Sequence, residues 1–392
     1  MTFETLHNLS QSMSELIHRI RLQQEDIHQW LQSLEKSNEL PLYSSVDLRD
    51  AGFKMAVVDT NIFPAGFNNL CKHGLEDSVQ LFKTALEKRV NNCQNILIIA
   101  EEHTRNTWYL ENIRILEGII RDAGFNVKTA TFLSVQPAFC ENTKFVELET
   151  ATGMPVRIYC FRNILNEYKS GKEKFDLIIM NNDLTGGIPE ILMESKVPIY
   201  PSIQAGWHSR LKSHHFCHTN DLVKEFGEML SIDPWLFSCE FSPVADVNIN
   251  EERDRKILAD TANDLMKKIQ LKYDEHQIQE KPYLVLKSDS GTYGMAVMAI
   301  EDPKQILELN RKGRNKLYKG KGSTVVERYL LQEGVPTIYN INQEISEVVI
   351  YQIDNNLVGG FYRSHSSKSK RENLNSQGMT FQTMCPHLKK YG

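Results

Sequence analysis

The sequence predicts an α/β and α+β protein, with a mainly parallel α/β part followed by a smaller part built on antiparallel sheet. Three observations carry this reading. Short apolar runs alternate with amphipathic helical stretches through the middle of the chain. From residue 281 the texture changes to β-rich segments joined by turn signals. A length of 392 residues exceeds what one simple core normally holds, so two or three domains are expected.

Taken in order, residues 10–36 carry apolar side chains at Met13, Leu16, Ile17, Ile20, Ile27, Trp30, Leu31 and Leu34, which is helical spacing. Ser12 with Glu15 can form a capping box. One helix is expected, packed on its own chain in preference to a second copy, so a homo-oligomer stays an open alternative. NILIIA (95–100) reads as a strand, TWYLENIRILEGIIRDAG (107–124) as a helix stopped by glycine, and VKTATFL (127–133) as a strand. FDLIIM (175–180), IPEILMES (188–195) and VPIYP (197–201) continue as strand, short helix and strand. Parallel sheets bind ligands at the carboxyl ends of their strands. Two such ends are polar here, EEHTRN (101–106) and NNDLTGG (181–187). Residues 251–280 read as a charged helical connector. Beyond it PYLVLKSD, MAVMAI, STVVERYL, SEVVIYQI and LVGGFYRS read as antiparallel strands, and SHSSKSKREN (364–373) as a mobile surface loop.

Composition narrows the function classes. Apolar residues at 41% and charged residues at 24% describe an ordinary water-soluble chain. A net charge of −5 argues against nucleic acid as a partner, because phosphate binding normally leaves a basic face. No apolar run approaches the roughly 20 residues that cross a bilayer, so no membrane partner is expected. The N-terminal MTFETLHNLSQSMSELIHRI lacks the basic-then-apolar layout of a secretory signal. Seven scattered cysteines without a Cys-x-x-Cys pair fit reduced thiols better than a disulfide framework or a structural zinc site. A cytoplasmic protein is expected.

The stretch YLVLKSDSGTYGMAVMAI (283–300) carries more than a hairpin needs. Lys287 ends a strand where its ammonium can face an anion held by the following loop. Gly291 and Gly294 let the loop's backbone amides approach phosphate oxygens. Neither commoner phosphate motif occurs: there is no G-x-x-x-x-G-K-[ST], and no G-x-G-x-x-G after a strand. A hairpin with an incidental lysine is the plain alternative. Further on, STVVERYL places Glu327 on a strand suited to an interdomain hinge, where a nucleotide base finds backbone partners and apolar cover. SEVVIYQIDNNLVGGFYRSH then gives a strand, a turn and a strand ending in Arg363, followed by NLNSQG (373–378).

In this order, strand lysine, small glycine loop, glutamate-bearing strand, hairpin ending in arginine and Asn-rich loop resemble the ATP-grasp ligases. The chain is similar to proteobacterial-type glutamate–cysteine ligases over nearly its whole length. The similarity runs through PLYSSVDLRDAGFKMAVVDTNIFPAGFNNL (41–70), EEHTRN, MNNDLTGGIPEIL (180–192), PSIQAGWHSRLKSHHF (201–216), KSDSGTYGM (287–295) and GGFYR (359–363). The resemblance implies ATP-dependent formation of γ-glutamylcysteine from glutamate and cysteine, with Mg2+ (or Mn2+). The glutamate side chain would be phosphorylated before the cysteine amine attacks. The expected division is an N-terminal helix (1–40), an α/β amino-acid-substrate domain (41–245), a helical connector (246–280) and an ATP-grasp-like nucleotide-binding domain (281–392).

Roles follow residue by residue. Lys287 is expected on the α/β-phosphates, and Arg363 on the transition state or acyl phosphate; their plain readings are a snorkelling lysine and a surface ion pair. Gly291, Thr292, Tyr293 and Gly294 would form a lid, and Glu327 would contact the base. Arg105 and Arg210 suit substrate carboxylates. Asp183 with Asn181 and Asn182 suits an ammonium group, and Asn61 and Asn68 supply amide contacts. Each of these could instead cap a helix or set a turn. The metal ligands are unknown. The family pattern asks for an acidic residue and a later Glu-x-Asn, yet MTFQTMCPHLKKYG holds no Asp or Glu. That leaves Glu344, Glu347 or Asp354 upstream, or ligands beyond the chain as given. His208, His214, His215, Cys217 and His218 crowd one stretch without the Glu of H-E-x-x-H, which favours a solvated helix over a transition-metal site. Two rivals stand: another ATP-grasp ligase with different amino acids, and a nucleotide-binding module without catalysis.

Overall fold

Three sheets carry the chain in the computed structural model, which describes residues 11–102, 105–132, 144–291, 296–319 and 325–385. Helices α1 (Gln11–Leu22) and α2 (Gln24–Ser37) lead into a hairpin of β1 (Tyr43–Asp50) and β2 (Met55–Asn61). Next come α3 (Lys72–Arg89), β3 (Asn95–Ala100), α4 (Thr107–Asp122), β4 (Asn126–Thr131), β5 (Phe145–Glu149) and β6 (Pro155–Cys160). The helix α5 (Phe161–Lys169), β7 (Leu177–Asn181), a single turn α6 (Glu190–Met193) and β8 (Ile199–Tyr200) follow. Strands β3 to β8 form one sheet in the order β5-β6-β4-β3-β7-β8, parallel except at the β5 edge.

Strands β3 and β7 are central and covered on both faces, which is why they read as unbroken apolar runs. Ile96, Ile98, Leu177 and Ile179 turn to one face and pack with Phe82 and Leu86 of α3 and Leu116 and Ile120 of α4. Leu97, Ile99, Ile178 and Met180 turn to the other, against Phe161, Ile164 and Leu165 of α5.

The rest of the chain runs α7 (Lys212–Leu230), β9 (Phe241–Val244), α8 (Glu252–Glu275), β10 (Leu284–Ser288), β11 (Val297–Ile300), α9 (Lys304–Leu307), α10 (Arg311–Tyr318) and β12 (Tyr329–Glu333). It ends in β13 (Asn340–Ile341), β14 (Glu344–Ile353), β15 (Asn356–His365) and β16 (Thr380–Met384). These strands build two antiparallel sheets. One has the order β11-β10-β12-β9 and is covered by α8, whose Leu258, Ala262 and Ile269 pack with Leu284, Leu286 and Leu331. The other has the order β16-β15-β14-β1-β2, with β13 on β14.

The fold class is the expected one, and three elements differ in detail. The β1–β2 hairpin lies early in the chain, yet β1 pairs with β14 from Tyr43↔Ile353 to Leu48↔Val348 and so joins the C-terminal strands. The N-terminal helix is broken at Gln23, whose φ of −110° and ψ of 26° interrupt it for one residue. Both pieces dock on α7 within the chain: Leu16 packs with Leu230, Trp30 stacks on Phe226 at 5.7 Å, and Arg19 donates to the Leu230 carbonyl at 2.9 Å. The polar loop after β15 is tied down, because Arg49 donates to the carbonyls of Lys370 at 3.0 Å and Glu372 at 2.8 Å. Cys71, Cys93, Cys217, Cys239 and Cys385 are free thiols, as expected, whereas Cys160 is disulfide-bonded. Among the described residues no helix is long and apolar enough to cross a membrane.

Candidate active site

The two antiparallel sheets meet across a slot. Alternate residues of a strand share a face, so β1 and β14 present Asp47, Arg49 and Glu347 to it, while β10 and β11 present Val285, Lys287, Val297 and Ala299. Tyr283, Gln332, Glu333 and Val335 line it too, and Val58, Asp59 and the stretch Arg371 to Asn373 with Asn375 close its rim. The apolar side chains Val58, Val285, Val297, Ala299 and Val335 offer cover for a flat heteroaromatic ring, among many charged and polar neighbours. Gln332 Nε2 and the Tyr283 hydroxyl are buried beside Cys239 and Arg49 without a well-formed hydrogen bond among the described residues. Such a group costs about 1–3 kcal/mol, so a ligand atom that pairs with it is favoured.

Lys287 Nζ donates to the Val58 carbonyl at 2.9 Å. Burial pulls its ammonium down to about 8, against the attraction of Asp59 and with Lys212 adding repulsion. The root of the glycine loop is fixed by Asp289, which is buried and accepts from the Ser213 amide and hydroxyl at 2.7 Å each. Gly291 has φ +92°, the left-handed region that favours glycine. Thr292, Tyr293 and Gly294 lie outside the described residues.

A second cavity of about 180 Å³ adjoins the slot and shares Asp47, Asp59 and Asn375 with it. It opens over the carboxyl ends of β3 and β7, which contribute Glu101, Asn181 and Asp183, as parallel-sheet geometry dictates. These ends are stitched together: Glu101 Oε1 accepts from the Asp183 amide at 2.9 Å, and the Tyr109 hydroxyl donates to the Asn181 carbonyl at 3.0 Å. Thr60, Trp207 and Arg363 form further wall.

Charge at the shared wall is dense. Arg363 Nη1 donates to Asp47 Oδ2 at 2.6 Å and Glu347 Oε1 at 2.8 Å, and Arg49 Nε donates to Glu347 Oε2 at 2.7 Å. Burial resists the charge on Glu347, but Arg49 and Arg363 hold its carboxyl below the usual range. Asp47 moves the other way. Burial pushes it up by more than Arg363 offsets, and Glu347 and Asp59 add like charge. Asp59 accepts from Lys212 Nζ at 2.6 Å; burial opposes its charge, yet Lys212 and Lys287 hold it at about 2. Arg210 is held by Thr60 Oγ1 at 2.7 Å and lies 4.8 Å over the Trp207 ring. Arg210 Nη1, Trp207 Nε1 and Arg363 Nε are buried donors without a partner among the described residues. Unpaired donors of this kind suit a substrate carboxylate.

Of the residues expected from sequence, Lys287, Arg363, Asn61 and Asp183 line the slot or the cavity, and Arg210 backs the same wall through Thr60. Asn68 lines a third cavity that adjoins through Asn375 and Phe381. Arg105 and Glu327 are exposed and are not among the described lining residues of the three cavities; Glu327 precedes β12, and the far end of that strand, Gln332-Glu333, reaches the slot. Asn181 lines the cavity but commits its amide to the Tyr43 hydroxyl at 3.1 Å and the Pro64 carbonyl at 2.9 Å. Asn182 sets a turn by accepting from the Leu184 amide at 3.0 Å, and Asp183 does the same for Thr185 at 3.0 Å. Of the carboxylates weighed for a metal, Glu347 is in the slot, Glu344 accepts from Thr380, and Asp354 pairs with Arg89. The histidine-rich stretch gathers no metal group among the described residues; burial, then Arg210, push His215 down to about 4. Sequence reasoning missed Asp47, Arg49, Asp59, Lys212 and Trp207. A signal existed in SSVDLRD, where Ser45, Asp47 and Arg49 repeat a polar residue every second position of a strand.

Comparison with known proteins bears on the family of the whole chain. A model of the family described as glutamate-cysteine ligase (GshA) matches residues 18–390. A protein from Methylobacillus flagellatus KT, provisionally named a gamma-glutamylcysteine synthetase and solved by crystallography at 1.90 Å, is 35% identical with a TM-score of 0.85. That match covers 95% of this chain and 87% of the other. A glutathione synthetase like-effector (GSS30) from Globodera pallida aligns at 11% identity and a TM-score of 0.38 over 87% of this chain and 75% of its own, too loosely to bear on the fold. No curated protein matches.

Proposed function

The chain belongs to the glutamate–cysteine ligase family, and we propose that the slot and the adjoining cavity divide its reaction between them. That reaction is the ATP-dependent ligation of the L-glutamate side-chain carboxylate to L-cysteine, giving γ-glutamylcysteine, the first step of glutathione synthesis. One observation carries the division: Asp47, Asp59 and Asn375 belong to both cavities. A triphosphate reaching out of the slot and a carboxylate lying in the cavity therefore meet at one wall.

In this reading the base lies between Val285, Val297 and Ala299, near Gln332, and Lys287 faces the phosphates. Arg210 and the Trp207 indole N–H receive the substrate α-carboxylate, and Asp183 faces an ammonium group. A γ-carboxylate oxygen attacks the terminal phosphorus, and the bridging oxygen leaves with ADP. Arg363 offsets the charge that builds on the transferred group. The cysteine amine then attacks the acyl carbon, the bond to the phosphate oxygen breaks, and the amine loses a proton. Positioning supplies most of the acceleration.

The family uses ATP with a divalent cation. Asp47, Asp59 and Glu347 line the slot and offer oxygen donors of the kind Mg2+ or Mn2+ takes, with Arg363 on Asp47 and Glu347 and Lys212 on Asp59 as their present partners. Burial, with like charge from Glu347 and Asp59, pushes the Asp47 carboxyl up, and a bound cation would oppose that shift. When bound, the ion supplies neutralisation of phosphate charge. Asp233, Glu275 and His276 also converge, but the group is not among the described lining residues of slot or cavity.

Glutamate labelled with oxygen-18 in its side-chain carboxylate tests the mechanism. One labelled oxygen should appear in the released phosphate for each γ-glutamylcysteine formed. Unlabelled phosphate beside labelled product would remove the acyl phosphate and the division with it.

A further inference from the structure

We propose that Cys71, His73 and Cys385 form a binding site for a thiophilic divalent cation of the zinc class, separate from the ligase centre. Cys71 is the N-cap of α3, His73 lies in its first turn, and Cys385 directly follows β16. The two sulfurs and a ring nitrogen of His73 lie within 4.8 Å of one another, and His73 Nδ1 is 3.7 Å from Cys385 Sγ. Around a tetrahedral zinc ion, bonds of about 2.3 Å to sulfur and about 2.05 Å to nitrogen leave those ligand atoms about 3.6 Å apart. This pair already has the spacing of two ligands on one ion. Both thiols are free.

The donor set decides the kind of ion. Two sulfurs and an imidazole select zinc-like cations over Mg2+, which takes oxygen ligands. Cys71 Sγ accepts from the Gly74 amide at 3.4 Å, which fixes the sulfur at the start of the helix. Three protein ligands leave one position for water, a recognised arrangement for zinc. Strand β16 is a sheet edge held by β15, and its Phe381 lines the substrate cavity, as does Asn69 just before Cys71. A cation here ties the edge strand to the start of α3, beside that cavity.

The test uses the full chain, reduced and freed of metal by a chelator, with Co2+ as the probe. Co2+ should bind at one equivalent with thiolate-to-cobalt charge-transfer absorption, displaced by Zn2+ and not by Mg2+. Cys71→Ser and Cys385→Ser should each abolish that absorption, and Cys217→Ser, a change at an exposed cysteine elsewhere, should preserve it. A second readout needs no variant. Zn2+ at ten times its Kd leaves about one site in eleven empty, so alkylation of Cys71 and Cys385, mapped by mass spectrometry, should slow about tenfold while that of Cys217 does not. Absence of the absorption, its survival in either serine variant, or alkylation unchanged by zinc overturns the proposal.

Discussion

At Lys287 two demands oppose one another. In the proposed mechanism the phosphates need an ammonium here, and burial disfavours one, holding the group at about 8. The free-enzyme kcat/KM for ATP should therefore fall as pH rises through about 8, and Lys287→Arg, which stays charged, should move that fall to higher pH. An alkaline limb that stays put in the arginine variant would detach it from this lysine. Stability takes the opposite sign. The folded group loses its proton near 8 and an unfolded lysine near 10.4, so between those values the unfolded chain binds more protons and stability rises with pH. Lys287→Met should thus cut kcat/KM by about 10²–10³ without lowering the unfolding free energy at neutral pH. Normal turnover in that variant would remove the side chain from the mechanism. Asp59, held at about 2, behaves differently: its stabilisation is present above the unfolded value near 3.9 and is lost as pH falls toward 2.

Between elements, the joint that fixes the slot is the pair Lys54–Glu333. Lys54 lies in the turn joining β1 and β2, and Glu333 ends β12, so their 2.9 Å contact ties one slot wall to the other, with both side chains 0% exposed. Trp235 Nε1 at 3.2 Å and the Glu240 amide at 3.0 Å satisfy the other carboxylate oxygen. Removing one partner leaves a buried charge, so Lys54→Met should destabilise by about 3–5 kcal/mol in urea unfolding, and adding Glu333→Gln should recover much of that loss. A single variant within about 1 kcal/mol of wild type would mean the pair is not holding the walls together. The same joint shows what the sequence could and could not reveal of the fold. NILIIA and FDLIIM were legible because a strand covered on both faces must be apolar throughout. The partnering of β1 with β14 was not, because pairing between distant segments leaves no trace in either one. The break at Gln23 was equally hidden, since the apolar spacing continues across it.

For the whole molecule the question is whether two cavities supplied by different sheets act as one centre. Lys287 and Arg363 were legible as slot and cavity residues because each lies near the end of a strand that leads toward a glycine-rich or Asn-rich loop, and the family resemblance ordered them. Asp47, Asp59 and Lys212 were not, because an acidic or basic residue inside a strand or helix looks like solvated surface until a third sheet is brought against it. Their grouping predicts a pattern of ligand responses. A non-hydrolysable ATP analogue with Mg2+ should raise the unfolding temperature, since a ligand at 100 times its Kd stabilises by about 2.7 kcal/mol, and glutamate should do so through the other cavity. Ala299 lines the slot and is not among the cavity's lining residues, so Ala299→Trp should abolish the analogue's shift and leave that of glutamate. Asp47 is wall to both, so Asp47→Asn should alter both shifts at once. Loss of both shifts in the tryptophan variant would make the two cavities a single site. Survival of both would place the nucleotide outside the slot, and the shared wall would then have no part in joining glutamate to cysteine.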